Sequence, residues 1–186
     1  MSDGYFTNPL AFLVDTLFSL YILVVMLRFI LQLVRADFYN PISQFVVKVT
    51  NPLLRPLRRV IPGVGGVDVA SLVLALLLQM LGLALVLMIN GRVPSIGGLT
   101  LLAVAELLVL VINIYLFSIL IVVIISWVNP AGYNPAVSLL HTITEPIMRP
   151  VRRLIPPVSG IDLSPLVVLI GLQILKMLLI PPLSGL

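Results

Sequence analysis

Four long runs of apolar residues dominate the pattern of hydrophobic and polar positions along the chain. They cover 16–34, 69–89, 107–128 and 163–183. The second and third runs carry no charged residue, whereas Arg28 interrupts the first and Lys176 the fourth. A helix of about 21 residues is about 31 Å long, close to the hydrocarbon thickness of a bilayer, about 30 Å. The pattern therefore predicts four transmembrane helices.

The composition also favours a lipid environment. Of the 186 residues, 60% are hydrophobic and 10% are charged, whereas soluble domains have about 45–50% and about 25%. A globule of this length cannot bury so much apolar surface, so part of it needs lipid. The segment before the first run carries Asp3 and no basic residue, so we expect the first helix to stay in the mature protein and not to act as a signal peptide.

A repeat with an offset of 94 residues organises the chain. Between positions 39 and 68, 14 of 30 residues are identical to the residue 94 positions later, which indicates a tandem duplication. The expected fold class is an all-α membrane protein made of two tandem repeats, 1–92 and 93–186. In each repeat a short interfacial helix and a proline- and arginine-rich loop separate two spans. The predicted spans are about 10–34, 69–89, 100–128 and 163–183.

The basic residues predict how the chain is oriented. Eight of the 11 Lys and Arg residues follow the first and third spans, and only Arg92 lies between the second and third. The positive-inside rule places both basic segments in the cytoplasm. We expect a multi-pass protein of the bacterial inner membrane with both termini in the periplasm. The two repeats are then parallel, unlike the inverted repeats of many transporters.

Each basic segment begins with a predicted amphipathic helix. Asn-Pro at 40–41 and 134–135 is typical of a cap followed by proline in the first turn. Apolar residues then recur at helical spacing, with Ser43 on the opposite, polar face. They are Ile42, Phe45, Val46 and Val49, and then Ala136, Leu139, Leu140 and Ile143. We expect a short interfacial helix with this stripe toward lipid or the bundle, because the two prolines that follow oppose a long helix.

Three arginines follow each of these helices. They are Arg55, Arg58 and Arg59, and then Arg149, Arg152 and Arg153. Guanidinium groups at headgroup depth suit lipid phosphates, so the first hypothesis is a site for anionic lipid or for a protein partner. The alternative is that the arginines only set the topology. With few aromatic residues beside them, nucleic acid is a poor fit as a partner.

One aspartate stands at the start of the second span of each repeat. Asp68 and Asp162 are placed to cap free N–H groups and to complement the helix dipole. The alternative is an ion pair with an arginine of the same repeat. Arg28, near the inner interface, has Asp37 or Asp68 as its expected partner.

Four polar residues are expected at membrane depth. Gln79 and Gln173 occupy equivalent positions near mid-bilayer, where amides usually bond across helices. Because their positions are symmetric, the alternative is that both glutamines lie near a central axis, within reach of a permeating ion. Glu106 and Lys176 share the outer half of the membrane, and we predict an ion pair between them.

No arrangement of residues typical of an enzyme is visible. The single histidine is His141, and there is no cysteine. The sequence contains no nucleophile with a base, no metal-binding motif and no phosphate-binding glycine loop. We therefore expect no enzymatic activity, no metal and no cofactor.

The motifs of the two repeats resemble those of the YggT family of small bacterial inner-membrane proteins. The shared pattern is Asn-Pro, then Thr-x-Pro-x-x-Arg-Pro-x-Arg-Arg-x-Ile-Pro, then an aspartate before an apolar helix. The second repeat is closer to the family and contains Ser126-Trp127, Thr144-Glu145-Pro146 and Asp162-Leu163-Ser164-Pro165. The first repeat has Gln32-Leu33, Asn51 and Ala70-Ser71 instead. The resemblance implies links to potassium uptake and osmotic-shock tolerance in bacteria and to cytochrome b6 haem assembly in plastids, and it implies no catalytic residue.

The expected function is that of a non-enzymatic accessory or scaffold protein. Its expected partners are membrane lipids and a cytosolic or membrane protein. The sequence does not decide whether the protein forms a homo-oligomer. The alternative is a component or regulator of ion transport, such as potassium transport, that acts as an oligomer. A pore would need Gln79 and Gln173, whereas a scaffold would need the arginines after the interfacial helices.

Overall fold

A computed structural model of the chain describes residues 3–128, 134–155 and 162–184. Within these ranges the protein is helical and has no strand. The helices are α1 (Asp3–Leu33), α2 (Pro41–Val60), α3 (Val69–Ile89), α4 (Ile96–Val128), α5 (Pro135–Leu154) and α6 (Ser164–Ser184). The all-α class predicted from the sequence is therefore confirmed.

Among the residues that the structure describes, three helices are long and apolar enough to cross a membrane. They are α1 over Pro9–Leu33, α3, and α4, which has 33 residues and begins earlier than predicted. The fourth predicted span corresponds to α6, whose described apolar part, Ser164–Leu179, is shorter. Many large apolar side chains on these helices are exposed, as expected where lipid and not water surrounds a helix.

The long helices form two antiparallel pairs. Helix α1 packs along α3, α4 packs along α6, and a contact between α3 and α4 joins the pairs. In the first pair Gly82 of α3 lies against Phe18 of α1, where a Cβ atom would approach the Phe18 ring carbons to 3.1 Å. Glycine therefore permits close approach of these two helices, as small residues often do between membrane helices. The equivalent position in α6 is Lys176.

Most of the buried core belongs to the first repeat. Its centre is the α1 stripe Ile22, Val25, Met26 and Ile30, which packs with residues of α2 and α3 and with Ile114 of α4. A second, smaller cluster in the other repeat contains Ile119, Met148 and Val168. The two repeats thus have the same order of helices but unequal cores.

Helices α2 and α5 are longer than the sequence predicted. Each has 20 residues and runs through its two internal prolines, which in α2 are Pro52 and Pro56. The prediction that these prolines end the helix is wrong. They are four residues apart and both exposed, so the two carbonyls that lose a helical N–H donor lie on the outer face, where they can be solvated. Contacts of the opposite face hold the helix together.

The buried face of α2 also differs from the predicted stripe. It consists of Ser43, Val46, Thr50 and Leu54, whereas Phe45 is 61% exposed. Ser43 was predicted to lie on the polar outer face. The difference arises because α2 packs on the guanidinium group of Arg28 in α1. Small hydroxyl residues therefore face inward, and Phe45 faces outward.

The first turns of α2 and α5 lie against each other. Asn40 and Asn134 cap the two helices through their Oδ1 atoms, with a proline at the first helical position, as predicted. The Nδ2 of Asn40 donates a hydrogen bond of 2.8 Å to the carbonyl oxygen of Pro135. Both amphipathic helices are therefore at the same end of the bundle.

Candidate functional site

The middle arginine of the first repeat joins the end of α2 to the start of α3. The Arg58 guanidinium contacts the carboxylate of Asp68, and its Nη2 also donates to Oε1 of Gln32 at 3.0 Å. Asp68 is 4% exposed and is the N-cap of α3, where it accepts hydrogen bonds from the backbone N–H and the hydroxyl of Ser71. Asp68 thus caps the helix and forms an ion pair at once.

The equivalent arginine of the second repeat makes the same connection. Arg152 Nε is 3.0 Å from Oδ2 of Asp162, and its Nη1 is 3.0 Å from Oε2 of Glu145. Asp162 also accepts a hydrogen bond of 2.9 Å from the N–H of Ser164 at the start of α6. With Asp162 41% exposed, this copy of the ion pair is open to solvent.

Both aspartates have a pKa below that of a free carboxyl group. Burial raises the pKa of Asp68, but the hydrogen bonds and charge of Arg58 together with the bonds from Ser71 outweigh burial. Slight burial acts in the same direction on the pKa of Asp162, and the hydrogen bonds from Ser164 and Arg152 again outweigh it. Both carboxylates are therefore ionised at neutral pH and attract their arginines.

The other four arginines of the predicted site face outward. Within the described ranges they have no hydrogen bond or ion pair to a protein side chain. They are Arg55, Arg59, Arg149 and Arg153. Each helix presents its two exposed arginines four residues apart, hence on one face. The six predicted arginines therefore divide into two that hold the fold and four that are available to a ligand.

Arg28 has a role that the sequence did not predict. This residue of α1 is 7% exposed, and its Nη1 lies 3.0 Å from the Val47 carbonyl oxygen, 2.6 Å from Thr50 Oγ1 and 2.9 Å from Asn51 Oδ1. The expected partners, Asp37 and Asp68, do not contact it. An arginine inside an apolar run indicated a buried polar contact. The expected acceptors were carboxylates, whereas the observed acceptors are uncharged groups of α2.

The predicted ion pair between Glu106 and Lys176 does not form. Glu106 accepts a hydrogen bond from Nε2 of Gln79 on α3, and Lys176 Nζ donates to Oδ1 of Asn113 at 2.8 Å. Glu106 and Asn113 are seven residues apart on one face of α4, so they are separated by about 10 Å along the helix. Helix α3 contacts Glu106, and helix α6 contacts Asn113.

These pairs border a cleft of about 390 Å³ between the long helices. Its polar lining comes from Ser19, Gln79, Glu106 and Asn113, and the rest of the lining is apolar. Gln173 lies elsewhere, on the exposed surface of α6. The two equivalent glutamines therefore do not share a site. Among the residues that the structure describes, no group of acidic or histidine side chains could hold a metal ion.

The unequal burial of the two ion pairs predicts unequal stabilisation. Replacing Asp68→Asn removes a charge that is buried beside Arg58 and should lower the free energy of unfolding by about 1.5–3 kcal/mol. Asp162→Asn, the matched control in the exposed copy, should cost less than about 1 kcal/mol. Denaturant unfolding in detergent micelles would measure both, and equal losses would contradict the assignment.

The ion pair of Arg58 and Asp68 also predicts how the stability difference between the wild type and Asp68→Asn depends on pH. The folded pKa of Asp68 is below the unfolded value, so its contribution is complete above the unfolded pKa, about 4, and is lost as the pH falls through the folded pKa. The stability gap between the wild type and Asp68→Asn should therefore narrow only in acid.

Sequence comparison places these features in a family. The model of the CCB3/YggT family matches residues 7–89 and again 101–183. An uncharacterised protein of Pseudomonas aeruginosa is 48% identical over 178 residues, which cover 94% of this chain and 89% of the relative. The uncharacterised protein YggT of Escherichia coli is 40% identical over 173 residues, 91% of this chain and 88% of the relative.

A third relative, an uncharacterised protein of Haemophilus influenzae, is 35% identical over 176 residues, 95% of this chain and 94% of its own length. No solved structure matches the chain. The two matched segments are consecutive and together cover most of the sequence. The protein therefore belongs to the CCB3/YggT family, and this chain contains the family unit twice in tandem.

Proposed function

We propose that this protein is a non-enzymatic accessory or scaffold protein of the bacterial inner membrane, whose exposed arginines bind anionic lipid or a protein partner. One observation carries the proposal. At the end of each amphipathic helix, one arginine is held by an aspartate while its two neighbours on the same helix point outward. The helix is thus fixed, and its free guanidinium groups are presented at one end of the bundle.

The membrane placement follows from the helix order. Helices α1, α3, α4 and α6 cross the bilayer, and α2 and α5 lie in its cytoplasmic interface. The contact between Asn40 and Pro135 supports a common side for both amphipathic helices, and the excess of basic residues on them favours the cytoplasm. Both termini and the segment 90–95 between α3 and α4 are then periplasmic.

The outer surface of α2 suits this location. Ile42, Phe45 and Leu53 are exposed apolar residues of the same helix that carries Arg55 and Arg59. A helix that presents apolar side chains and arginines together can insert the former into the acyl chains while the latter remain at the phosphates. Burial of the apolar side chains and attraction of the arginines to phosphate then both favour binding of α2 to the membrane surface.

A second candidate function is a role in ion transport, either as a component or as a regulator. The observation that favours it is the cleft with Gln79, Glu106 and Asn113 in helices long enough to span the membrane. Polar residues at that depth are commonly functional. Against it, Glu106 and Lys176 are each engaged with an amide, and the remaining lining of the cleft is largely apolar.

The proposed topology predicts which sites are accessible from each side. The chain has no cysteine, so single substitutions at exposed positions give unique labels. Gln44→Cys and Ser138→Cys occupy equivalent positions on α2 and α5 and should react with an impermeant maleimide only after the membrane is opened. Ser95→Cys should react in intact cells treated to permeabilise the outer membrane. Labelling of the two equivalent positions from opposite sides would refute the parallel arrangement.

The arginines should give the protein a preference for anionic lipid. Trp127, the single tryptophan, is exposed in the last turn of α4, and brominated lipids quench its fluorescence on contact. In mixed liposomes, quenching by brominated phosphatidylglycerol should exceed quenching by brominated phosphatidylcholine. Arg149→Gln with Arg153→Gln should reduce this preference several-fold, because each arginine near an anionic surface contributes about 1 kcal/mol.

The matched control for this experiment is Arg92→Gln, which removes an exposed arginine in the segment between α3 and α4. It should leave the lipid preference at Trp127 unchanged. An equal effect of the control would mean that only net charge matters. No effect of the double substitution would exclude lipid as the ligand of these arginines and leave the protein partner.

Flux measurements separate the two candidate functions. Under the scaffold proposal, liposomes containing the purified wild type should pass potassium no faster than empty liposomes. A flux that Gln79→Leu abolishes would instead establish transport through the cleft. Gln173→Leu is the control, because that glutamine lies outside the cleft, and it should not alter any flux.

A further inference from the structure

A pocket of about 300 Å³ opens between the end of α1 and the first half of α2. It is separate from the exposed arginines at the end of the helices and from the cleft at membrane depth. Its polar lining consists of Arg28, Gln32, Arg35, Ser43 and Arg58, and no aspartate or glutamate lines it. Three arginines line one small cavity, which indicates an anion as its occupant.

Arg28 supplies a buried charge with unused donors. Only its Nη1 atom is engaged, and all three acceptors are uncharged groups of α2. Its Nε and Nη2 atoms have no hydrogen-bond acceptor in the part of the chain that the structure describes. A buried guanidinium is normally paired with an anion, and no carboxylate in the described ranges forms an ion pair with Arg28.

Ser43 provides an independent sign of a polar ligand. It is 4% exposed, and its Oγ is buried without any hydrogen-bond partner. The same residue lines the pocket, in the first turn of α2, where a helix favours a negative charge. A buried hydroxyl without a partner is unfavourable, and an acceptor placed in the pocket would satisfy it.

Arg35 occupies a backbone position that favours glycine. Its φ angle is 53°, and it is the one non-glycine residue with positive φ in the described ranges. This left-handed residue ends α1, where the N–H of Ala36 donates to the carbonyl oxygen of Leu31 at 2.8 Å, a common arrangement at helix C-termini. Glycine would adopt the conformation with less strain, whereas arginine adds a positive charge to the lining of the pocket.

The charges around the pocket are not balanced by the protein. Asp68 compensates Arg58, while Arg28 and Arg35 have no acidic partner in the described residues. Two guanidinium groups without a carboxylate partner, an amide and a hydroxyl can donate hydrogen bonds to the oxygens of a phosphate group. We propose that this pocket binds one phosphate group, and that its source is the headgroup of a phospholipid.

The surroundings of the pocket favour a lipid over a soluble phosphate. Leu31, Ala36 and Val46 complete its wall, and Phe38 at its edge is 61% exposed. The pocket lies at the end of α1, one of the helices that can span a membrane. At that depth a headgroup phosphate can enter while its acyl chains follow the apolar surface of the helices.

Only the first repeat contains this set of residues. The positions equivalent to Arg28, Arg35 and Ser43 are Val122, Asn129 and Val137 in the second repeat. The chain should therefore bind one phospholipid tightly. The exposed arginines, which occur in both repeats, would in contrast attract anionic lipids without a fixed stoichiometry.

The inference shares the membrane placement of α2 with the proposed function but does not use the exposed arginines. The test is native mass spectrometry of the full chain in a maltoside detergent, titrated with phosphatidylglycerol, with diacylglycerol, which lacks the phosphate, or with inorganic phosphate. The wild type should retain one phosphatidylglycerol per chain and no diacylglycerol.

Two substitutions remove pocket groups without harming the fold. Arg35→Gly suits the positive φ, and Ser43→Ala removes the unpartnered hydroxyl, so thermal unfolding should show neither variant less stable. Each should weaken phosphatidylglycerol binding at least tenfold. Arg92→Gln is the control, since it removes an exposed arginine outside the pocket, and it should leave the single bound lipid in place. Arg59→Gln, outside the pocket as well, tests the exposed arginines of α2 separately.

Every other result contradicts the proposal in a recognisable way. Equal retention of diacylglycerol, or equal binding by all the variants, would overturn the phosphate site. Saturable binding of inorganic phosphate without retention of lipid would overturn the lipid source. Loss of lipid in Arg59→Gln alone would assign lipid binding to the exposed arginines, which leaves the proposed function standing and removes the pocket.

Discussion

The arrangement of this protein depends on the ion pair that connects each amphipathic helix to the membrane helix after it. Two prolines deprive each amphipathic helix of two backbone hydrogen bonds, so tertiary contacts must compensate. Arg58 with Asp68, and Arg152 with Asp162, hold the C-terminal ends of these helices against the bundle. Without that connection, the arginines beside them would have no fixed position, and the proposed binding of lipid or a partner by these arginines would have no geometric basis.

The two repeats keep this connection but surround it differently. In the first repeat the carboxylate is buried, and Arg28 supports the helix from α1 through Thr50 and Asn51. In the second repeat Asn51 is replaced by Glu145, which pairs with Arg152 in an exposed site. One copy therefore has a polar interior with a pocket, and the other a solvated surface network. Duplication preserved the frame and allowed the neighbouring groups to diverge.

The outline of the fold could be predicted from the sequence because it depends on local patterns. Apolar runs predicted the long helices, and Asn-Pro predicted the caps. The continuation of α2 through Pro52 and Pro56 could not be predicted from the count of lost hydrogen bonds, because it depends on both prolines facing outward. In the same way, depth alone suggested that Glu106 meets Lys176. The depth estimated from the sequence was too coarse: Lys176 donates to Asn113, which lies about 10 Å from Glu106 along α4, and Glu106 is engaged by Gln79 of α3.

The hydrogen bond from Asn40 to Pro135 has a consequence for the ancestry of the chain. Asn40 uses its oxygen to cap its own helix and its nitrogen to reach the other repeat, whereas Asn134 makes no return bond within the described residues. A homodimer of single repeats with a two-fold axis would make this bond in both directions or in neither. Two halves within one polypeptide are not subject to that requirement. The two asparagines are identical in sequence but no longer interchangeable, and selection can act on each half by itself.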